Sequence, residues 1–135
     1  MEMTTQEKWD RAARSFDMMS SRGPEWRWRP AKEKIFSHMR PDANILFLAL
    51  GTGLDIAAFP PDCNITAIDI SPNMVANAKE RVAAYPGHMT AEVMDVHNMP
   101  FEDASFDQAF TSCTFCSVPQ PVDGLKALNR VLKPG

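Results

Sequence analysis

With 135 residues, 44% of them hydrophobic and 23% charged, the chain is sized for one globular domain with a real core. A formal net charge of −3 argues against a general nucleic-acid binder, which carries a basic surplus. No apolar run approaches the roughly 18 residues of a bilayer span, nothing resembles a signal peptide, and three cysteines set no disulfide framework, so the expected location is cytoplasmic.

Thr4 with Glu7 fits an S/T-x-x-E capping box and opens a first helix. Trp9, Ala13 and Phe16 recur at i, i+4 and i+7, so one face is apolar, and the helix is expected to end near Ser20. That face either packs on the domain or closes as a lid over a ligand. Ser21 to Arg29 reads as a loop in which Trp26 and Trp28 alternate with Arg27 and Arg29. Surface packing is the ordinary use of such a cluster. Contact with an acidic substrate, a lipid headgroup or a membrane surface is the functional one. Pro30 suits the first turn of a second helix running to about Met39, with Ile35, Phe36 and Met39 on its apolar face. Residues 1–40 are thus expected to form a helical lid or cap and residues 41–135 the main domain.

Ile45 to Leu50 is a continuous apolar run, as expected of a strand buried on both faces of a parallel sheet. Gly51-Thr52-Gly53 follows, where glycine permits a sharp turn and close approach to a ligand. Leu54 to Phe59 is too short for a long helix, and Pro60-Pro61 stops it. A second strand, Asn64 to Ile70, carries Asp69 near its end, 18 positions after Gly51. In nucleotide-binding βαβ units an acid about 20 residues past the glycine turn accepts ribose hydroxyls. Ser71-Pro72 starts a helix, Ser as N-cap and Pro at the first position, with Met74, Val75, Ala78, Val82 and Tyr85 as its buried stripe. Met89 to Met94 reads as a third strand followed by Asp95, and Phe106 to Ser112 as a fourth. A last helix runs from Pro121 to Leu132, with Leu125, Leu128 and Leu132 as its apolar face.

This alternation predicts a doubly wound α/β fold with a parallel sheet. Right-handed crossovers would bring the glycine turn, Asp69, Asp95, and Ser112 with Cys113 to one crevice at the carboxyl ends of the strands. Other candidates read more plainly. Cys113-Thr114-Phe115-Cys116 is a C-x-x-C in a loop with no second pair, so a structural or incidental role is expected. His38, His88 and His97 show no metal-ligand spacing, although His97 could line the crevice, and no metal is expected.

These residues resemble the class I S-adenosylmethionine-dependent methyltransferases from about Ala31 to Gly135. The first family motif stands as ILFLALGTG, the second as ITAIDIS, the third as EVMDVHNMPFEDASFD, followed by FTSCTFCSVPQP and LNRVLKPG. The closer likeness is to the small-molecule branch that includes ubiquinone/menaquinone, phosphatidylethanolamine N- and thiol methyltransferases. The resemblance implies a Rossmann-like fold and S-adenosyl-L-methionine as cofactor. Ala49, Gly51, Thr52, Gly53, Asp69, Ile70, Met74, Asp95, Val96 and Ser112 would line its pocket. Asp69 would take the ribose, Asp95 the adenine amino group, and the Val96 N–H the ring. The methyl acceptor would be a small molecule or lipid headgroup, and no residue is assigned as catalytic base. A dinucleotide oxidoreductase fits less well, because Ile56 stands where G-x-G-x-x-G needs its third glycine.

The chain departs from the family at Phe47, where Asp or Glu is usual, and at Ala49, where the first glycine stands. Family members also continue past LKPG for three further strands. The expectation is therefore a C-terminally truncated sheet of about four strands in order 3-2-1-4. Its strand 4 would be exposed at an edge and disposed to pair with a second copy. A non-catalytic, degenerate module acting through ligand binding or self-association is the alternative.

Overall fold

The computed structural model describes residues 3–13, 15, 24–111 and 118–134. Four parallel strands form one sheet in the order β3-β2-β1-β4: β1 Asn44–Leu48, β2 Asn64–Asp69, β3 His88–Val93 and β4 Gln108–Thr111. The four α-helices among the described residues are α1 Thr5–Ala12, α2 Pro24–Phe36, α3 Pro72–Ala84 and α4 Pro121–Val131. The expected doubly wound arrangement and strand order are both present.

The pleat of β1 divides the core. Ile45 and Phe47 point to one face, with Phe36 of α2, Ala78 of α3, and Ile65 and Ala67 of β2. Leu46 and Leu48 point to the other, with Ile68, Met99, Phe106 and Val131 of α4. A strand buried on both sides has to be apolar at every position, which is why Ile45 to Leu48 reads as an unbroken run. On the first face Phe36, Phe47 and Phe59 form a triangle with ring centroids 5.7, 4.9 and 5.0 Å apart. Phe110 of β4 extends it at 6.4 Å from Phe36.

Local signals hold where capping chemistry was explicit. Thr4 and Glu7 form the reciprocal capping box of α1. Ser71 accepts the Met74 N–H, and Pro72 opens α3. The glycine turn leads into a single 3₁₀ segment, Leu54–Ala58. Tyr85, just past α3, donates its hydroxyl to the Pro60 carbonyl and accepts the Cys63 N–H at 3.0 Å, so it ties α3 to the start of β2.

Three expectations need correction. The stretch from Ser21 to Arg29 is not a loop throughout, because α2 begins at Pro24. Pro24 opens the helix, where its missing N–H costs nothing, and Pro30 lies inside it. Burial of Phe36 and Met39 at the far end holds α2 to the core despite that lost bond, while Ile35 points outward at 48% exposure. The first helix ends at Ala12 with Ala13 as C-cap, well before Ser20. Phe16 and Ser20 lie outside the described residues. On the last helix Leu128, and Leu132 just past the end of α4, pack on the core as expected, but Leu125 is 50% exposed and the buried positions are Gly124 and Val131.

The outer edge of β4 is covered at its start. Phe106 and Leu132 form a parallel bridge, in which the Phe106 N–H donates to Val131 at 2.9 Å and the Lys133 N–H to Phe106 at 2.9 Å.

Phe47 has no exposed surface. Phe47→Asp, which would install the family's usual carboxylate, places an unpaired charge inside the aromatic cluster. It is expected to cost upwards of about 4 kcal/mol, from lost burial plus the stranded charge. Urea denaturation read by far-UV circular dichroism would check this, and a near-native midpoint would refute it.

Candidate functional site

The site is built around the turn that follows β1. Leu50 still pairs with β2, its N–H donating to Ile68 at 3.1 Å, and the backbone then bends away from the sheet. Ala49, Gly51 and Gly53 all take positive φ, at 59°, 63° and 86°. Glycine adopts this region freely, whereas alanine is penalised by its Cβ. A Cβ on Gly53 would also come within 3.1 Å of the Ile56 side chain and 3.4 Å of Ala78, so the turn lies close against α3. Arg81 of α3 fastens it by donating to the Thr52 carbonyl at 2.9 Å.

Asp69 closes the other side. It is 7% exposed, and its two oxygens take different backbone donors: Gly51 N–H at 2.8 Å on Oδ2 and Ser71 N–H at 2.9 Å on Oδ1. One carboxylate thus links the glycine turn, the end of β2 and the start of α3. Burial pushes its pKa up, the two N–H bonds pull the other way, and the nearby Asp10 charge pushes up further. Because the carboxyl's folded pKa is raised, ionisation of Asp69 subtracts stability as pH rises from its unfolded value toward the folded one.

Asp10 reaches the same corner from α1. Its Oδ1 accepts the Ser71 hydroxyl and, at 3.1 Å, the Asn73 N–H. The Asn73 side chain returns a bond to the Asp10 carbonyl at 3.2 Å, and Asn77 donates to the Ala13 carbonyl at 3.0 Å. A carboxylate at the N-terminus of α3 is favoured by the helix dipole. Nothing in the sequence pointed to Asp10, because its partners lie more than sixty positions away. Behind the turn, Asp55 in the 3₁₀ segment pairs with Lys32 of α2 at 2.7 Å, both largely buried.

On the third strand, the Met94 N–H donates to the Asp69 carbonyl at 2.9 Å, so the ends of β2 and β3 stay side by side. Asp95 follows as N-cap of the 3₁₀ segment Val96–Asn98. Its Oδ1 accepts the His97 N–H at 2.9 Å and meets the His97 ring at Nδ1, 2.8 Å away. Both of these contacts fall on Oδ1. The other ring nitrogen, Nε2, lies 3.4 Å from the Gln120 carbonyl, just before α4, where Gln120 has φ of 49°. Asp95 chiefly, and the Gln120 carbonyl more weakly, raise the His97 pKa against a lowering by burial.

Of the sequence-predicted residues, Ala49, Gly51, Thr52, Gly53 and Asp69 form one connected unit, and Ile70 and Asp95 adjoin it. Met74 is 1% exposed on the inward side of α3. Val96 packs toward the α4 face of the core. Ser112 and the C-x-x-C from Cys113 to Cys116 lie outside the described residues; Thr111, the last described residue of β4, donates its hydroxyl to the Leu48 carbonyl at 3.1 Å. Among the described residues no cluster of His, Cys, Asp and Glu could hold a metal ion. The arrangement suits recognition: accessible backbone at Ala49 and Gly51, with two carboxylates at neighbouring strand ends to accept hydroxyl or amino donors.

Residues 46–135 match the family model described as a methyltransferase domain. The ubiquinone/menaquinone biosynthesis C-methyltransferase UbiE of Geotalea daltonii is 37% identical over 96% of this chain and 59% of its own length. The demethylmenaquinone methyltransferase of Symbiobacterium thermophilum is 31% identical over 99% of this chain and 57% of its own. The chain therefore spans under two thirds of these curated relatives. The crystal structure of a SAM-dependent methyltransferase from Aquifex aeolicus shares the fold, with a TM-score of 0.65 and 23% identity over 78% of this chain and 58% of that one.

Ala49→Gly is expected to stabilise the fold by about 1 kcal/mol, since it removes a Cβ from a left-handed backbone. A higher melting temperature would bear this out. For His97, a raised folded pKa means that its bond to Asp95 stabilises fully below about pH 6.5 and is lost as pH rises through the folded value. In Asp95→Asn the His97 pKa should fall back toward about 6.5, as read by imidazole NMR titration. An unchanged value would show that Asp95 is not what holds the ring.

Proposed function

We propose a function from one premise: the chain belongs to the class I S-adenosylmethionine-dependent methyltransferases. In our reading it supplies the cofactor-binding part of a methyltransferase acting on a small molecule, with a quinone-type ring as the leading acceptor class. The acceptor class takes its support from the names of the two relatives, a ubiquinone/menaquinone C-methyltransferase and a demethylmenaquinone methyltransferase.

The observation that carries the cofactor reading is the bond between Gly51 N–H and Asp69 at 2.8 Å. It holds an acidic side chain beside an open glycine turn at the carboxyl edge of a parallel sheet, where nucleotides bind in this class of fold. Each Asp69 oxygen accepts one backbone N–H, which leaves a lone pair on each for a ribose hydroxyl. Asp95 would receive the adenine amino group on Oδ2, because Oδ1 is engaged by His97. Gly51 leaves the backbone accessible where the cofactor would pass, and Gly53 lets the turn pack against α3. The family's carboxylate on β1 is absent, because Phe47 is sealed in the aromatic cluster. Cofactor affinity would then rest on the ribose and adenine ends more than on the methionine end.

The bound cofactor supplies an activated methyl group. What the chain's own residues contribute is position: in-line attack needs donor and acceptor held a few ångströms apart, and that alignment removes a large part of the barrier. The Asp10 bonds to Ser71 and Asn73 place α1 beside the ribose acid, where it would act as the cap of the pocket.

Isothermal titration of the chain with S-adenosylmethionine and S-adenosylhomocysteine tests this reading. Micromolar binding is expected, weakened at least about tenfold in Asp69→Ala, which removes a charged hydrogen-bond acceptor. Asp95→Asn, at a more exposed position, should weaken binding less. A chain folded by circular dichroism that gives no heat with either compound would overturn the proposal.

A further inference from the structure

The N-terminal helices carry one surface that neither the core nor the cofactor reading uses. Helix α2 is buried along Phe36, with Met39 just beyond its end, and the flank beside that buried line is open. There Trp28 is 52% exposed, Ile35 is 48% exposed and Ala31 is exposed between them. Positions 28, 31 and 35 are i, i+3 and i+7, so the three make a single stripe along the helix. Arg27 and Lys34, again seven apart and both exposed, run along one side of it. The Arg27 guanidinium carbon sits 5.9 Å from the centre of the Trp28 ring, so charge and ring occupy one patch.

The charge balance of this region is opposite to that of the molecule. Residues 24–40 hold five Lys or Arg (Arg27, Arg29, Lys32, Lys34, Arg40) against two Glu (Glu25, Glu33), a net of +3. The whole chain is −3, so all other residues together carry −6. Lys32 is taken up by Asp55 and Arg29 is only partly exposed, so Arg27 and Lys34 are the exposed cations beside the stripe.

We propose that this face of α2 docks the protein on the surface of an anionic lipid bilayer. An amphipathic helix with tryptophan on its apolar stripe and cations beside it lies in the plane of the headgroups. The ring enters the interfacial zone and the cations meet lipid phosphates. The surrounding negative charge would face away from the bilayer. Among the described residues no helix is long and apolar enough to cross a membrane, so this is attachment and not insertion. Docking stands on the helix surface alone. Its use, to bring a lipid-soluble acceptor to the pocket beside α1, rests on the methyltransferase reading above.

Co-sedimentation of the full chain with phosphatidylcholine vesicles, and with vesicles also containing phosphatidylglycerol, tests the proposal. The chain should pellet with the anionic vesicles, remain in solution with the neutral ones, and release as salt rises. Arg27→Glu combined with Lys34→Glu should weaken anionic-vesicle binding by about tenfold or more, and Trp28→Ser should weaken it independently. These positions are exposed, so circular dichroism should be unchanged. Titration with S-adenosylhomocysteine should also be unchanged, and that readout separates a failure of docking from a failure of the cofactor reading. Equal recovery with both vesicle types, or binding indifferent to all three substitutions, would overturn the proposal. So would a dimer in light scattering that Trp28→Ser dissolves, which would assign the face to a second copy.

Discussion

The carboxylate of Asp69 is the constraint on which the site depends. Two backbone N–H groups from segments twenty positions apart in the chain need an acceptor in a nearly dry place: Gly51 N–H at 2.8 Å and Ser71 N–H at 2.9 Å. Leaving either unpaired would cost on the order of 1–3 kcal/mol, so one acid at the end of β2 settles both the shape of the glycine turn and the entry of α3. The remaining pieces lock onto that unit. Arg81 holds the turn from α3, and Asp10 brings α1 to the same corner. The corner at Asp69 thereby joins the glycine turn, β2, α3 and α1.

The sheet sets the scale on which this works. Parallel pairing forces β1, β2 and β3 to end on the same side, and the bond from Met94 to the Asp69 carbonyl keeps their ends level. Asp69 and Asp95 therefore stand near each other without touching. Phe47 shows the cost of a change inside such a frame. At its position the backbone register decides the surroundings, and those are the rings of Phe36 and Phe59, with Phe110 as its register partner on β4. An acid could not be supported there without rebuilding α2 and the segment before β2.

Much of this was legible from the residues. The unbroken apolar run of β1 and the Ser71-Pro72 start of α3 each have one strong physical reading, and the structure follows them; Asp69 ends β2 beside the glycine turn, as the spacing suggests. The failures have physical causes too. Pro30 looks like a helix start because proline is best tolerated there, yet Pro24 occupies that role six residues earlier. Of the stripe Leu125, Leu128 and Leu132 only Leu125 turns outward, because the inward line runs through Gly124, Ala127, Leu128 and Val131. Gly124 has no side chain to announce that line. Asp10 was invisible because its role is entirely tertiary, and the His97 bridge because it needs Gln120 from another loop.

Tyr85 is the chain's single tyrosine, and it bridges Pro60 and Cys63 from the end of α3. Burial is the main reason that its hydroxyl titrates at about 12 instead of 10. The shift makes this ring an optical gauge. Phenolate absorption in the folded chain should rise late and all at once, since no second tyrosine blurs it. It also sets an alkaline limit. The bridge contributes fully below pH 10 and fades as pH climbs toward 12, so α3 loses its tie to the start of β2 in strong base.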